Sequence, residues 1–168
     1  MQKRDHLKTE NVEYIGVIGS GGSIGPKIYH KAEKTGELIG ERGGVMICGG
    51  KGGVMEAASR GCQKAGGTVI GVLPSPNRND ANSYLDYSLT TGMGQARNLM
   101  IVTSSKVVIA IAGGTGTLSE IALARKHQKP VILLDSWPLA DIEYDYNRSD
   151  LYQVSNPELA VDKAFELC

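Results

Sequence analysis

Net charge, long apolar runs and paired cysteines are all missing from this chain. Lysine and arginine number 18, and so do aspartate and glutamate, which makes the formal net charge zero. Without a surplus of either sign there is no field to gather nucleic acid or an anionic membrane surface, so neither is expected as a partner. The apolar stretches are strand-sized, far short of the roughly 20 residues that span a bilayer. The opening MQKRDHLKTEN is polar and lacks the apolar core of a secretory signal. It reads as a polar lead-in over residues 1–11. Cysteine occurs three times, at Cys48, Cys62 and Cys168. An odd count at irregular spacing argues against a disulfide framework and for a reducing compartment, which predicts a cytoplasmic protein. His6, His30 and His127 are scattered and no Cys-x-x-Cys is present, so no metal site is expected.

Glycine is what the chain has in excess, 22 residues in 168. Eleven of them (Gly19, Gly21, Gly22, Gly25, Gly49, Gly50, Gly52, Gly53, Gly113, Gly114 and Gly116) form three short clusters. Each cluster follows an apolar run and precedes a helix-like pattern, which a flexible linker would not do.

The length suits one domain, residues 1–168. Along it, apolar runs predict strands at 14–20, 45–50, 68–74, 106–114 and 130–136, with a weaker one at 86–92. Helical patterns fill 26–42, 54–67 and 115–129. Residues 93–105 look helical at their start, with an ambiguous Ile-Val-Thr tail. Residues 75–84 are a polar loop and 137–150 read as irregular. Ser155 or Asn156 is placed to cap a last helix from about Pro157. The strands are continuously apolar rather than alternating, as in a parallel sheet covered on both faces. The expected fold is therefore α/β, a single Rossmann-like doubly wound parallel sheet with helices on both faces. Ligands of such sheets bind outside the carboxyl ends of the strands, which is where all three glycine clusters fall.

The first cluster, GSGGSIG (19–25), misses the dinucleotide spacing, and the second strand ends in ICGG without the acid that binds a ribose. The second, CGGKGGVMEA (48–57), has Gly52 where a P-loop needs Ser or Thr for magnesium. Its extra glycines imply backbone passing close to a ligand. The third lies in IAIAGGTGTLSE (109–120). Its free backbone N–H groups, the helix start and the hydroxyls of Thr115 and Thr117 make an anion cradle. Two roles stay open for Glu120. Thr117-Leu-Ser-Glu120 matches a capping box, in which Thr117 caps the helix and Glu120 reaches back. Alternatively, Glu120 faces the cleft as a catalytic carboxylate.

Together, GGTGTLSE, CGGKGGVMEAASRG and TGMGQARN resemble the Lonely Guy (LOG) superfamily, often mislabelled as lysine decarboxylases. The likeness spans roughly residues 12–136 and is nearest to the branch that contains molybdenum cofactor carrier proteins. The first two glycine loops offer Ser20, Gly21, Gly22, Gly49, Gly50, Gly53 and Met55 to a small phosphorylated ligand, and the resemblance implies that Gly113, Gly114, Thr115, Gly116 and Thr117 hold its phosphate. It implies catalytic roles for Arg97, at the ribose or leaving group, and for Glu120, at the ribosyl centre. The reaction would be hydrolysis of a nucleoside 5′-monophosphate to free base and ribose 5-phosphate. The alternative is a carrier of molybdenum cofactor or a related phosphorylated pterin. No cofactor is required, a bound nucleotide or molybdenum cofactor is the expected cargo, and a homodimer or higher homo-oligomer is implied. The helices after residues 93 and 115 are its candidate contacts.

Two positions depart from the superfamily pattern. Ala112 stands where the signature has proline, and Asn98 where the enzymes usually carry a lysine. The second change removes a positive charge and weakens the enzyme reading more than the carrier one. A decarboxylase would need pyridoxal phosphate on a lysine, and neither Lys51 nor Lys106 sits in a supporting motif.

Overall fold

The computed structural model describes residues 12–139 and 150–168. The polar lead-in at 1–11 and most of the stretch read as irregular lie outside the described residues. Seven strands form one sheet: β1 (Tyr14–Gly19), β2 (Val45–Cys48), β3 (Thr68–Leu73), β4 (Tyr87–Thr90), β5 (Val107–Ile111), β6 (Val131–Leu134) and β7 (Leu151–Val154). The order across the sheet is β4-β3-β2-β1-β5-β6-β7. Every neighbouring pair is parallel.

The helices are α1 (Pro26–Glu41), α2 (Val54–Lys64), α3 (Asn98–Ser104), α4 (Thr115–Lys126) and α5 (Pro157–Leu167). Alternation within each strand shows how they divide. Ile109 and Ile111 of β5 join a cluster with Ala32 of α1, Ala58 of α2 and Val161 of α5. Val108 and Ala110 join Ile101 of α3 and Ile121 of α4 on the other face. A strand that buries both faces must be apolar at every position, as Val107–Ile111 is. The doubly wound α/β fold read from the sequence is therefore the one formed. Each fully buried aliphatic side chain contributes roughly 1.5–3 kcal/mol. The sheet interior can thus offset unpaired polar groups held at its rim. No helix among the described residues is long and apolar enough to cross a membrane.

Three local expectations need correction. Leu151–Val154 is a seventh strand, paired in register with β6 from Val131↔Leu151 to Leu134↔Val154, in a place where no strand was expected. The start of 93–105 is a 3-10 turn (Gly94–Arg97), and its β-branched tail is the α-helix, α3. Gly94, at φ 56°, cannot belong to an α-helical turn and delays the helix. The capping box does not form, as its helix shows below. The last helix, by contrast, is capped by Asn156, whose Oδ1 accepts the Leu159 N–H at 2.8 Å.

Candidate functional site

The chain reverses direction across the sheet between β1 and β5. β1 feeds α1 on one face and β5 feeds α4 on the other, so the loops after them part at this switch point. Such a crevice is where open α/β sheets bind ligands. The structure brings the three glycine clusters into contact there. The Val54 N–H donates to the Ser20 carbonyl at 2.9 Å, tying the second loop to the first. Gly53 sits at φ 65° against that same carbonyl, with no room for a Cβ. A Cβ on Gly19 would lie 2.6 Å from the Ile111 carbonyl, so the third loop runs beside the first. Met55 bridges the first two loops: its Sδ would meet a Cβ on Gly49 at 2.6 Å, and its methyl one on Gly21 at 3.0 Å.

The clustered glycines fall into two kinds. Gly49, Gly50, Gly53 and Gly113 have either a positive φ or a neighbour where a Cβ would stand. The fold itself requires them. Gly25, Gly114 and Gly116 have neither, and Gly22 has only the Ser20 hydroxyl at 3.8 Å. Nothing among the described residues explains these four. They border open space on the α1 and α4 sides of the switch point, a bed that side chains would fill.

α4 starts one residue after that bed begins. Gly114 is its N-cap and makes no side-chain cap. Thr117 is therefore in the first turn and Glu120 in the second, too far along to return to the N-cap. Thr117 is 2% exposed and its side chain lies against Gly113, so its hydroxyl is not presented to the rim as expected. Thr115 is exposed at the helix start. α1 and α2 also lack side-chain caps, whereas α5 has one. The uncapped N–H groups at the start of α4 suit an anion.

Two residues missed by sequence reasoning brace the third loop. Ser136 Oγ donates to the Ala112 carbonyl at 2.6 Å, and Trp137 Nε1 donates to the Gly114 carbonyl at 3.3 Å. A tryptophan just past a strand end was the available signal. On the second loop, Asn82 plays the same part: its N–H donates to the Gly50 carbonyl and its Nδ2 to that of Lys51.

Arg97 enters from the 3-10 turn that leads into α3, Glu120 from α4, and they are 6% and 7% exposed. Gly49 makes room for the guanidinium: a Cβ there would meet Nη1 at 2.5 Å and Nη2 at 2.7 Å. Arg97 Nε and Nη1 are buried without a partner among the described residues. Desolvation lowers the Arg97 pKa, while Glu120 acts to raise it. Burial pushes the Glu120 carboxyl up to about 7, against the opposing pull of Arg97. The pair thus combines a fixed cation with a carboxyl that exchanges its proton near neutrality, as acid–base sites require. Cys48 lies under the second loop, where burial pushes its thiol up and Ser59 and the Gly50 N–H hold it. It is kept as a thiol rather than activated as a nucleophile.

Fold and rim together define a Rossmann-like protein of the LOG superfamily, in a branch with molybdenum cofactor carrier-like members. More narrowly, the chain belongs to the SLOG cluster4 family, whose model matches residues 12–161. It is similar to the molybdenum cofactor binding protein of Rippkaea orientalis: 43% identity, TM-score 0.84, 92% of this chain and 96% of that one covered. The molybdenum cofactor carrier protein of Chlamydomonas reinhardtii is 32% identical with a TM-score of 0.83, over 93% of this chain and 98% of that one. The cytokinin riboside 5′-monophosphate phosphoribohydrolase of Mycobacterium tuberculosis is 30% identical over 118 residues, 63% of this chain and 62% of that protein.

Proposed function

We propose that this protein binds a phosphorylated nucleotide-like ligand over the switch point and hydrolyses its N-glycosidic bond. The observation that carries this reading is the buried Arg97, whose Nε and Nη1 lack a partner among the described residues, at one rim with an equally buried Glu120. Each feels the other's charge, yet no ion pair joins them among the described residues, so the guanidinium is left to meet a polar group of the ligand. The N–H groups of Thr115 and Gly116 hold the phosphate over the open glycines. Arg97 donates to the ribose or the leaving group. Glu120, ionised, stabilises positive charge growing at C1′ as the bond loosens. Water adds to C1′, the bonding pair leaves with the base, and the base takes up a proton. Free base and ribose 5-phosphate result. Incubation with nucleoside 5′-monophosphates should release free base from the native protein and not from Glu120→Ala. Equal release by both sinks the hydrolase reading.

A second reading is favoured by Asn98 and by the similarity to carrier proteins: the same bed carries molybdenum cofactor, or another phosphorylated pterin, without turnover. The residues fit the phosphorylated part of such a group, because the open glycines and the α4 start serve any phosphate. When bound, the cofactor would bring its own pterin and metal chemistry, and the chain's part is to hold its phosphate. Native mass spectrometry of gently purified protein tests this reading, which requires a retained phosphorylated ligand.

We infer that a second copy docks on the face that α3 and α4 cover only in part. Tyr87 and Leu89 of β4 stand opposite Ile70 and Val72, which belong to that face. Both are exposed, as are the neighbouring Met93 and Leu99.

A further inference from the structure

Buried hydroxyls elsewhere in this protein find carbonyls within their own helices. Thr35 donates to Lys31, Ser59 to Met55 and Ser105 to Ile101, all within 2.8 Å. Among the described residues, the buried side-chain nitrogens and oxygens left without a partner belong to Arg97 and to the residue after it, Asn98. Asn98 is 4% exposed and opens α3 at the rim. Its Nδ2 donates to Gln95 Oε1 at 3.4 Å, which turns the amide so that Oδ1 is the free atom. Leaving a buried carbonyl oxygen unpaired is costly unless a ligand completes it. The proposed function assigns the Arg97 donors to the ligand but gives this acceptor nothing to do.

We propose that Asn98 Oδ1 accepts an N–H from an exocyclic amino group on the ligand's heterocycle, and so selects amino-bearing rings. The proposal rests on the phosphorylated-ligand reading. A lysine in this position offers donors and no acceptor, so it would favour a ring carbonyl or a phosphate instead. Asparagine reverses that polarity beside an arginine that still supplies donors. The combined edge suits a ring presenting an acceptor next to an amino group. Guanine and the pterins share such an edge, a ring nitrogen beside the 2-amino group, so one preference covers both the nucleotide and the carrier readings.

Two ligand pairs test this by calorimetry. GMP and IMP differ by the 2-amino group, and AMP and purine riboside 5′-monophosphate by the 6-amino group. In at least one pair the amino-bearing member should bind the native protein on the order of ten-fold more tightly, because it alone satisfies the buried oxygen. Asn98→Leu should bring that ratio to about one while leaving the amino-free member within about three-fold, as expected when one hydrogen bond is lost. Asn98→Ala serves as the second variant if the leucine does not fit. A ratio near one in both pairs for the native protein, or a ratio that survives both substitutions, overturns the role of Asn98 while the nucleotide site stands. If none of the four nucleotides binds the native protein, the underlying nucleotide reading fails and this one with it.

Discussion

Arg97 and Glu120 lie buried at one rim, each feels the other's charge, and no ion pair joins them among the described residues. Burial therefore dominates Glu120 and pushes its carboxyl up to about 7. Between about pH 4.3 and that value the folded state holds a proton that the unfolded chain has released. Stability then falls as pH rises through this window and levels off above about 7. The whole effect is on the order of 3 kcal/mol. Glu120→Gln removes the titration. The melting-temperature advantage of the native protein over this variant should shrink by roughly 5–10 °C between pH 5 and 8. Parallel curves would show that Glu120 titrates as an ordinary exposed carboxylate. If the ionised form stabilises the ribosyl centre, base release should rise through about pH 7 in the native protein and drop on the order of 100-fold in Glu120→Gln.

Gly113 and Gly116, three residues apart, should respond in opposite ways to alanine. Gly113 has φ 108° and lies against the Thr117 side chain, so Gly113→Ala costs about 1–3 kcal/mol of stability. Gly116 is helical, with open space where its Cβ would point. Gly116→Ala should stabilise the helix by up to about 1 kcal/mol. It should also weaken nucleotide binding, because the methyl enters the phosphate bed. Denaturant titration and calorimetry read the two effects separately. A Gly116→Ala protein that is more stable and binds as well as the native one would remove Gly116 from the ligand site.

The exposed apolar residues beside α3 lead to a prediction about assembly. Leu89→Lys or Leu99→Lys should change monomer stability by less than about 0.5 kcal/mol, since neither residue is in the core. Each should nonetheless shift the mass measured by light scattering toward the monomer. A native protein that is already monomeric at tens of micromolar would overturn the placement of a second copy on this face.

The elements that were legible in the sequence are those whose signal is local. Val107–Ile111 is apolar at every position and is stopped by glycines, and it pairs on both sides in the middle of the sheet. Leu151–Val154 is also a strand, but it is half-exposed at an edge and is defined by its register with β6. Four residues of that kind carry too little pattern to stand out. The capping box failed for a related reason. Thr-Leu-Ser-Glu fits the motif, yet the N-cap of α4 lies three residues before Thr117, at Gly114, because the sharp turn at Ala112 and Gly113 has already redirected the chain. At the site, sequence order placed Arg97 and Glu120 at one rim. It could not show that both are buried without pairing to each other, since that depends on how α3 and α4 lie over the sheet.

Ala112 stands in the third loop where the signature that this chain resembles has proline. It has φ 47°, a left-handed conformation costing an alanine about 1–2 kcal/mol. Its N–H donates to the Leu134 carbonyl at 3.0 Å. The signature proline has neither that φ nor that N–H, so it cannot occupy this backbone. Ala112→Gly should relieve the strain and stabilise the protein by about 0.5–1 kcal/mol, after the added freedom of the unfolded chain is counted. Ala112→Pro should cost about 3 kcal/mol or more, because it loses the bond to β6 and forces φ to the other side. Chemical denaturation measures both. Should the proline variant prove as stable as the native protein, the loop can shift into the signature conformation. The bracing of its carbonyls by Ser136 and Trp137 would then not be what fixes the phosphate bed.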